Sequence, residues 1–452
     1  MKPMLSCLLV LALGAGLAPA EVSLTVYQRD LVLVRDVRTV DLQKGENRLV
    51  FGDVAPGIYQ PTLRITPLKD ASAFTTLEAN YDNDLASQER IWHKHLGKLF
   101  QFTKNDSLYR GILRNFDDDF IYLEPEGRPG AVALVDRGGV EDIIFEALPE
   151  GLVLRPQVTW RVKAGRAVQG LPVEISYLSN GLTWQADYTA RVLGNDRLRL
   201  EGNVTLSNSL EVDFAAAHLD LIAGEVHRTA DSRQLYDEEA VTAPQAAPKE
   251  TGNRLFEYRH YALPGRVDVF SGQTKSLPLI GPVEVQADRH FFFDGSSGAE
   301  EVLVRLAFDN NRGAGLGMAL PEGDLLLYQA DDQGRLQFLG EDQLDASSAG
   351  DRVELVVGKA YDLRVDRRRV EHQRLSRNRT RDVVEIEFSS SRTEPARIIV
   401  QERLYGFWDL VETSWDGQPI SPRKEDYNRA EFDVELAPGA IGTLRYVVEY
   451  GY

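Results

Sequence analysis

The chain has 452 residues, 43% of them apolar, and a formal charge of −18 from 51 basic against 69 acidic side chains. That length exceeds what one ordinary core organises, so two to four domains are expected. The acidic balance disfavours binding of nucleic acid or an anionic membrane by the surface as a whole, and the normal apolar content excludes a disordered chain.

Residues 1–20 read as an export signal. Lys2 is followed by an apolar run from Leu5 to Leu17 and by Ala18-Pro19-Ala20, a small-residue cleavage site before Glu21. The run is too short to span a bilayer, and no later segment approaches eighteen consecutive apolar residues. The mature chain is therefore expected to have no transmembrane segment and to be periplasmic or secreted. The single cysteine, Cys7, lies within the signal, so no disulfide is expected. A lipid-anchored cysteine would need the apolar run before it, and here the run follows.

From Val22 the pattern is that of strands with one buried face. Val22, Leu24 and Val26 alternate with polar residues, Leu31 to Leu42 mostly alternates, Lys44-Gly45-Glu46-Asn47 reads as a turn, and Leu63 and Ile65 resume the pattern. The period changes at Asp84 to Gly97, where Leu85, Trp92 and Leu96 share a helical face and Gly97 offers a stop. Five short strands follow between Lys98 and Phe145, separated by turn-forming NDS, DDD, EGRPG and RGG. A short helix and five strands in so few residues suggest a small SH3-like or Sm-like barrel inserted over 84–150. Its six basic and ten acidic residues from Lys98 to Glu146 speak against RNA and for a structural insertion.

The strand pattern returns at Leu152, so 21–83 and 151–227 are read as one N-terminal β-sandwich. Its densest stretch is Ser179 to Gly224, where Leu182, Trp184, Tyr188, Leu198, Leu200, Val204, Leu206, Leu219 and Leu221 keep strand spacing. Residues 228–253, rich in Ala, Pro, Glu and Thr, read as a flexible linker. A middle β region is expected over 254–362, and an immunoglobulin-like sandwich over 363–452, without the cysteine pair of antibody domains. The fold class is thus mainly β, with multi-domain β-sandwiches and the small barrel inserted.

Several ordered runs resemble the mucoidy-inhibitor-A-like proteins. They are YLSNGLTWQADYTARV, AAAHLDLIAGEV, LPEGDLLLYQADDQGRLQFLGEDQL, VELVVGKAYDLRVDRR, IIVQERLYGFWDL and LAPGAIGTLRYVVEYGY, spanning Leu152 to Tyr452, with a weaker echo in VYQRDLVLVRDVRTVDLQKGENRLVF. The resemblance implies an exported bacterial β-rich protein whose shared region is a domain of unknown function. It implies no particular activity. The named proteins carry a long helical insertion where this chain has the small barrel, so their partner need not be shared.

No convergent catalytic set is legible. His93 and His95, two apart on the predicted helix, point to nearly opposite faces, so no metal site is expected, and no cofactor motif occurs. Gly295-Ser296-Ser297-Gly298 is turn chemistry and lacks the spacing of a nucleophile elbow; Asp117-Asp118-Asp119 and Asp331-Asp332 read as acidic hairpin tips. Trp160, Trp184 and Tyr188 read as core, and Trp408 with Phe407 and Tyr405 as core with a binding rim as the alternative.

One segment departs from the acidic background: Leu363 to Arg381 holds eight arginines against Asp366 and Glu371. Arg367, Arg368, Arg369 and Arg374 are its candidate binding residues for an anionic polymer or partner protein of the envelope, because arginine forks suit carboxylates and phosphates. The competing reading is a solvated hairpin whose arginines pair with carboxylates of the chain itself. The expected function is a non-enzymatic binding or scaffold protein. The alternative is an extracytoplasmic hydrolase of glycan or peptide using two carboxylates.

Overall fold

The computed structural model describes residues 21–83, 88–143, 153, 155–194, 196–224, 226, 254–255 and 258–451. The predicted signal with Cys7, the predicted linker 228–253 and His227 lie outside them. Strands make up 67% of the described residues and helix 3%, which settles a mainly β, multi-sheet fold. Two compact units are present: residues 1–183, 207–225 and 260–274 form the first, and residues 184–206, 226–259 and 275–452 the second.

In the first unit, Glu21–Tyr27 lies between Phe214–Ala223, to which it is parallel, and Leu31–Leu42, to which it is antiparallel. Val168–Ser179 continues the sheet and Arg64–Pro67 flanks it. The alternation of Val22, Leu24 and Val26 puts all three in the core, as do Val173, Ile175 and Tyr177 on their strand. A three-stranded sheet is centred on Gln157–Ala164, between Gly45–Gly52 and Phe74–Asp82. The turn before Gly45 is tighter than its sequence suggests, because Asn47 already belongs to the strand and its side chain bonds back to Gln43. Gly181, at the bend between Val168–Ser179 and Leu182–Leu193, has φ 103°, and a Cβ there would lie 2.7 Å from Leu210 Cδ2. Both demands select glycine.

The segment predicted as a small barrel forms a helix, Gln88–His95, and a five-stranded antiparallel sheet. The sheet runs in the order Val140–Ile143, Leu99–Lys104, Ser107–Phe116, Phe120–Pro125, Ala133–Asp136. Trp92 is wholly buried against Phe100 and Phe116, with the Arg137 guanidinium 4.5 Å from its ring. At its C-terminal end the helix stops at His95, before the predicted Leu96, which is exposed, and Gly97 turns at φ 78°. No ladder joins the sheet's two edge strands among the described residues.

The second unit contains a ten-stranded mixed sheet. Leu336–Leu344, Gly323–Ala330, Leu182–Leu193, Arg197–Asn208, Thr274–Asp294, Ala396–Arg403, Arg429–Leu436 and Arg423–Asp426 follow one another, while Leu303–Asp309 joins Thr274–Asp294 to Arg352–Lys359. A five-stranded sheet runs Leu363–Ser376, Arg379–Ser390, Ile441–Gly451, Phe407–Trp415, Gln418–Pro419. Between the two sheets lies a sandwich core of Phe291, Phe293, Ile386, Phe388, Ile398, Val400, Phe432, Leu444 and Tyr446 with their neighbours. This core takes in Phe291, Phe293 and Val302, which precede residue 363.

Candidate functional site

The predicted arginines ride on the hairpin of Leu363–Ser376 and Arg379–Ser390. Strand alternation places Leu363, Val365 and Arg367 on one face, and the first two are core. Ala396, Ile398 and Val400 are buried by the same rule, which carries Glu402 inward as the next alternate residue. Arg367 and Glu402 therefore meet: Nε donates to Oε1 at 2.8 Å and Nη2 to Oε2 at 2.9 Å, while Nη2 also donates to Tyr446 Oη at 3.2 Å. Hydrogen bonding to Glu402 holds the Arg367 guanidinium charged far above its ordinary range, and burial pushes the Tyr446 hydroxyl up. The backbone at Gly295 packs close on this pair, since a Cβ there would sit 2.1 Å from Glu402 Oε1.

The neighbouring arginines are partnered more loosely. Arg368 lies 3.9 Å from Glu385 and from Glu387, and Arg369 lies 3.3 Å from Asp382, whose other oxygen is 2.5 Å from His372 Nδ1. Arg379 and Arg381 share Glu449. Arg374 donates only to the backbone oxygens of Ser376 and Arg377 among its described contacts. Of the four candidate residues, Arg367 is committed to an internal pair, Arg368 and Arg369 lie over strand carboxylates, and Arg374 stands exposed.

A more concave site lies on the other face of the ten-stranded sheet. Phe291, Phe293, Ile398, Val400, Phe432 and Val434 point into the sandwich core, so His290, Phe292, Arg397, Ile399, Glu431 and Asp433 point the opposite way. They line a cavity of about 520 Å³ together with Asp288, Arg305, Arg352, Glu354, Gln401, Ser421, Arg423 and Arg429. Arg305 stacks 3.4 Å over the Phe292 ring and bonds Glu354 at 3.0 Å. Arg397 forks onto Asp433 at 2.7 Å and reaches Asp288 at 3.2 Å, which also receives Arg352 at 3.1 Å.

At the floor sits His290, 2% exposed, and neither ring nitrogen makes a hydrogen bond to the protein. Burial depresses its pKa, with Arg305 and Arg397 acting in the same sense and Glu354 and Asp288 opposing. In the unfolded chain the same imidazole titrates near 6.5. The unfolded state thus takes up a proton below that pH while the folded state resists it, so this contribution is full above pH ~6.5 and lost as pH falls toward the depressed folded value. Unfolding free energy followed by urea titration from pH 7.5 to 5 is expected to fall by at most ~1.4 kcal/mol per pH unit from this group. His290→Leu should flatten that part of the profile; an unchanged slope would contradict the assignment.

A second cavity of the same unit, about 670 Å³, is acidic. Asp187 and Asp324 are register partners on parallel strands, and Glu341 and Asp342 follow on the next strand. The Thr205 hydroxyl donates to Asp187, and the Val356 amide donates to Asp342.

The remaining candidates are tied into the fold by their own contacts. His95 is buried with Nδ1 2.7 Å from the Ile91 carbonyl oxygen, while His93 lies against Phe116. No group of three or more His, Cys, Asp or Glu side chains among the described residues could hold a metal ion, and no helix among them is long and apolar enough to cross a membrane. Ser296 caps Asp294 through both its amide and its hydroxyl, as a turn does. Asp117 and Asp331 likewise accept the backbone amides of their hairpin tips. Trp160, Trp184, Tyr188 and Trp408 are buried, whereas Tyr405 and Phe407 are exposed. No protein-family model matches the chain, and no curated protein is significantly similar to it.

Proposed function

We propose that the protein is an exported, non-enzymatic β-rich binding protein of the bacterial envelope, of the mucoidy-inhibitor-A-like kind, and that its ligand is an acidic, hydroxyl-rich molecule such as a segment of an anionic envelope polymer. The cavity around His290 is the ligand site in this reading, and the five-stranded unit is a small SH3-like or Sm-like barrel that serves as a structural insertion. The observation that carries the proposal is the buried imidazole with two unpaired nitrogens. Buried polar groups are almost always hydrogen-bonded, so an imidazole on a cavity wall with neither nitrogen bonded is completed by a group that enters as the wall side chains shift to admit it. A neutral imidazole offers one donor and one acceptor, and each guanidinium has five donors, more than its carboxylate partner takes up. Carboxylates of the ligand suit the arginine forks, and its hydroxyls suit His290 and the wall carboxylates. The volume falls among small-molecule sites, which span roughly 300–1,000 Å³.

Calorimetric titration with oligogalacturonate, against an uncharged cello-oligosaccharide, tests this reading. Binding of the charged probe alone is expected, weakened about tenfold or more by Arg397→Ala, because charge-assisted hydrogen bonds contribute roughly 1.5–3 kcal/mol each. Equal binding by Arg397→Ala would remove the site. Turnover of the probe, lost in Asp187→Asn, would instead favour the carboxylate-dependent hydrolase, for which the adjacent Asp187 and Asp324 are the supporting feature.

A further inference from the structure

One end of the five-stranded sheet in the second unit gathers aromatic tips beside unpaired arginines. Trp408 is buried there, and its Nε1 donates to the Tyr427 carbonyl at 2.6 Å, while the Leu404 amide donates to the Asn428 carbonyl at 2.8 Å. Those two bonds tie the 404–407 and 427–428 loops together. From them Tyr405, Phe407 and Tyr427 project, 68%, 84% and 82% exposed. Across the sheet Phe407 pairs with Gly451, Gly451 pairs with Arg379, and Arg379 pairs with Ser376. With strands about 4.8 Å apart, the hairpin turn that holds Arg377 stands only ~10–15 Å from Phe407. Arg374 and Arg377 make no ion pair among the described residues and are exposed. The nearby Glu449 is taken by Arg379 and Arg381, and Asp426 by Arg429; Asp409 is an exposed carboxylate on the adjoining strand.

We propose that this rim is a docking surface for an anionic lipid bilayer, with Tyr405, Phe407 and Tyr427 seated among the headgroups and Arg374 and Arg377 on the phosphates. Two features of the aromatics favour lipid over a polymer chain, and the charge distribution sets the orientation. The aromatic side chains are nearly free of protein around them, as insertion tips must be, whereas a chain-binding site presents ring faces along a groove. Phe407 carries no polar group to bond a sugar hydroxyl, yet burial of its ring in an interface removes apolar surface from water. Finally, a chain of −18 is repelled by an anionic bilayer except where a local cationic rim faces it, so the charge distribution selects one orientation. Arg429 lines the His290 cavity and pairs with Asp426 at this rim, but none of the residues varied at the rim lines that cavity, so its test is independent of that site.

Flotation of the full chain with vesicles of phosphatidylglycerol and phosphatidylethanolamine, against vesicles of phosphatidylcholine alone, reads the proposal. Binding to the anionic vesicles is expected, weakening as salt is raised. Arg374→Ala with Arg377→Ala should weaken it by roughly tenfold or more, since each arginine near an anionic surface adds to the attraction. Tyr405→Ser, Phe407→Ser and Tyr427→Ser together should abolish flotation while leaving the urea unfolding midpoint near that of the parent, because the tips are exposed. Arg397→Ala should float as the parent does. No flotation of the parent, unaltered flotation of the arginine and aromatic variants, or retention on an acidic polysaccharide column without vesicle binding would each overturn it.

Discussion

Trp160→Ala is expected to cost about 3–5 kcal/mol of stability, the range for removing a fully buried large aromatic. Trp160 occupies the middle of Gln157–Ala164, itself the middle strand of its three-stranded sheet, and is 1% exposed. Its cross-strand partners are Leu49 and Ala79, and the Phe51 ring meets it edge-on with centroids 5.6 Å apart. That geometry adds about 0.5–1.5 kcal/mol beyond area burial, and the small Ala79 opposite cannot swell into the hole. Against a usual domain stability of about 5–15 kcal/mol, the loss should be plain in a urea titration of the full chain. Trp160→Phe keeps the edge contact and should cost much less. A loss below about 1 kcal/mol for the alanine variant would show that this sheet does not depend on its central ring. Trp184, 3% exposed in the second unit, should behave alike.

Those two tryptophans also show what could be read in advance. Period-two alternation is a local property of the chain, so Val22, Leu24 and Val26, and every apolar position singled out between Leu182 and Leu221, could be placed in a core from spacing alone, and all of them are buried. Pairing is not local. Thr274–Asp294 lies parallel to Ala396–Arg403 across more than a hundred residues, and only that ladder brings His290 near Arg397 and Asp433. Along the sequence those residues look like an ordinary polar face. One signal was present: His290 adjoins Phe291-Phe292-Phe293, where alternation must bury something on both faces, so a histidine there is driven out of water without a visible partner. The arginine run was legible as a charge anomaly, but spacing also contained its division of labour. Arg367 continues the inward series of Leu363 and Val365, whereas Arg368 faces out.

Arg367→Ala is expected to cost about 3 kcal/mol, the lower end of the range for breaking a buried pair. The reason is asymmetry between the partners. Glu402 is 1% exposed and would be left as an uncompensated carboxylate in the core, while the Arg367 side chain is 31% exposed, so its own contribution is screened. Glu402→Ala should therefore cost less than Arg367→Ala, because the long arginine stem can carry its charge out to water. The double variant Arg367→Met with Glu402→Leu should recover to within about 1 kcal/mol of the parent, since it removes both charges and keeps the volume. Unfolding free energies of the parent, Arg367→Met, Glu402→Leu and the double variant close a double-mutant cycle. Additive losses, with the double variant the least stable of the four, would mean that the two side chains do not act as a pair. The double variant also separates stability from binding. Arg367 and Glu402 face the sandwich core and His290 faces away from it, so oligogalacturonate affinity at the cavity should survive the exchange even though each single variant weakens the fold.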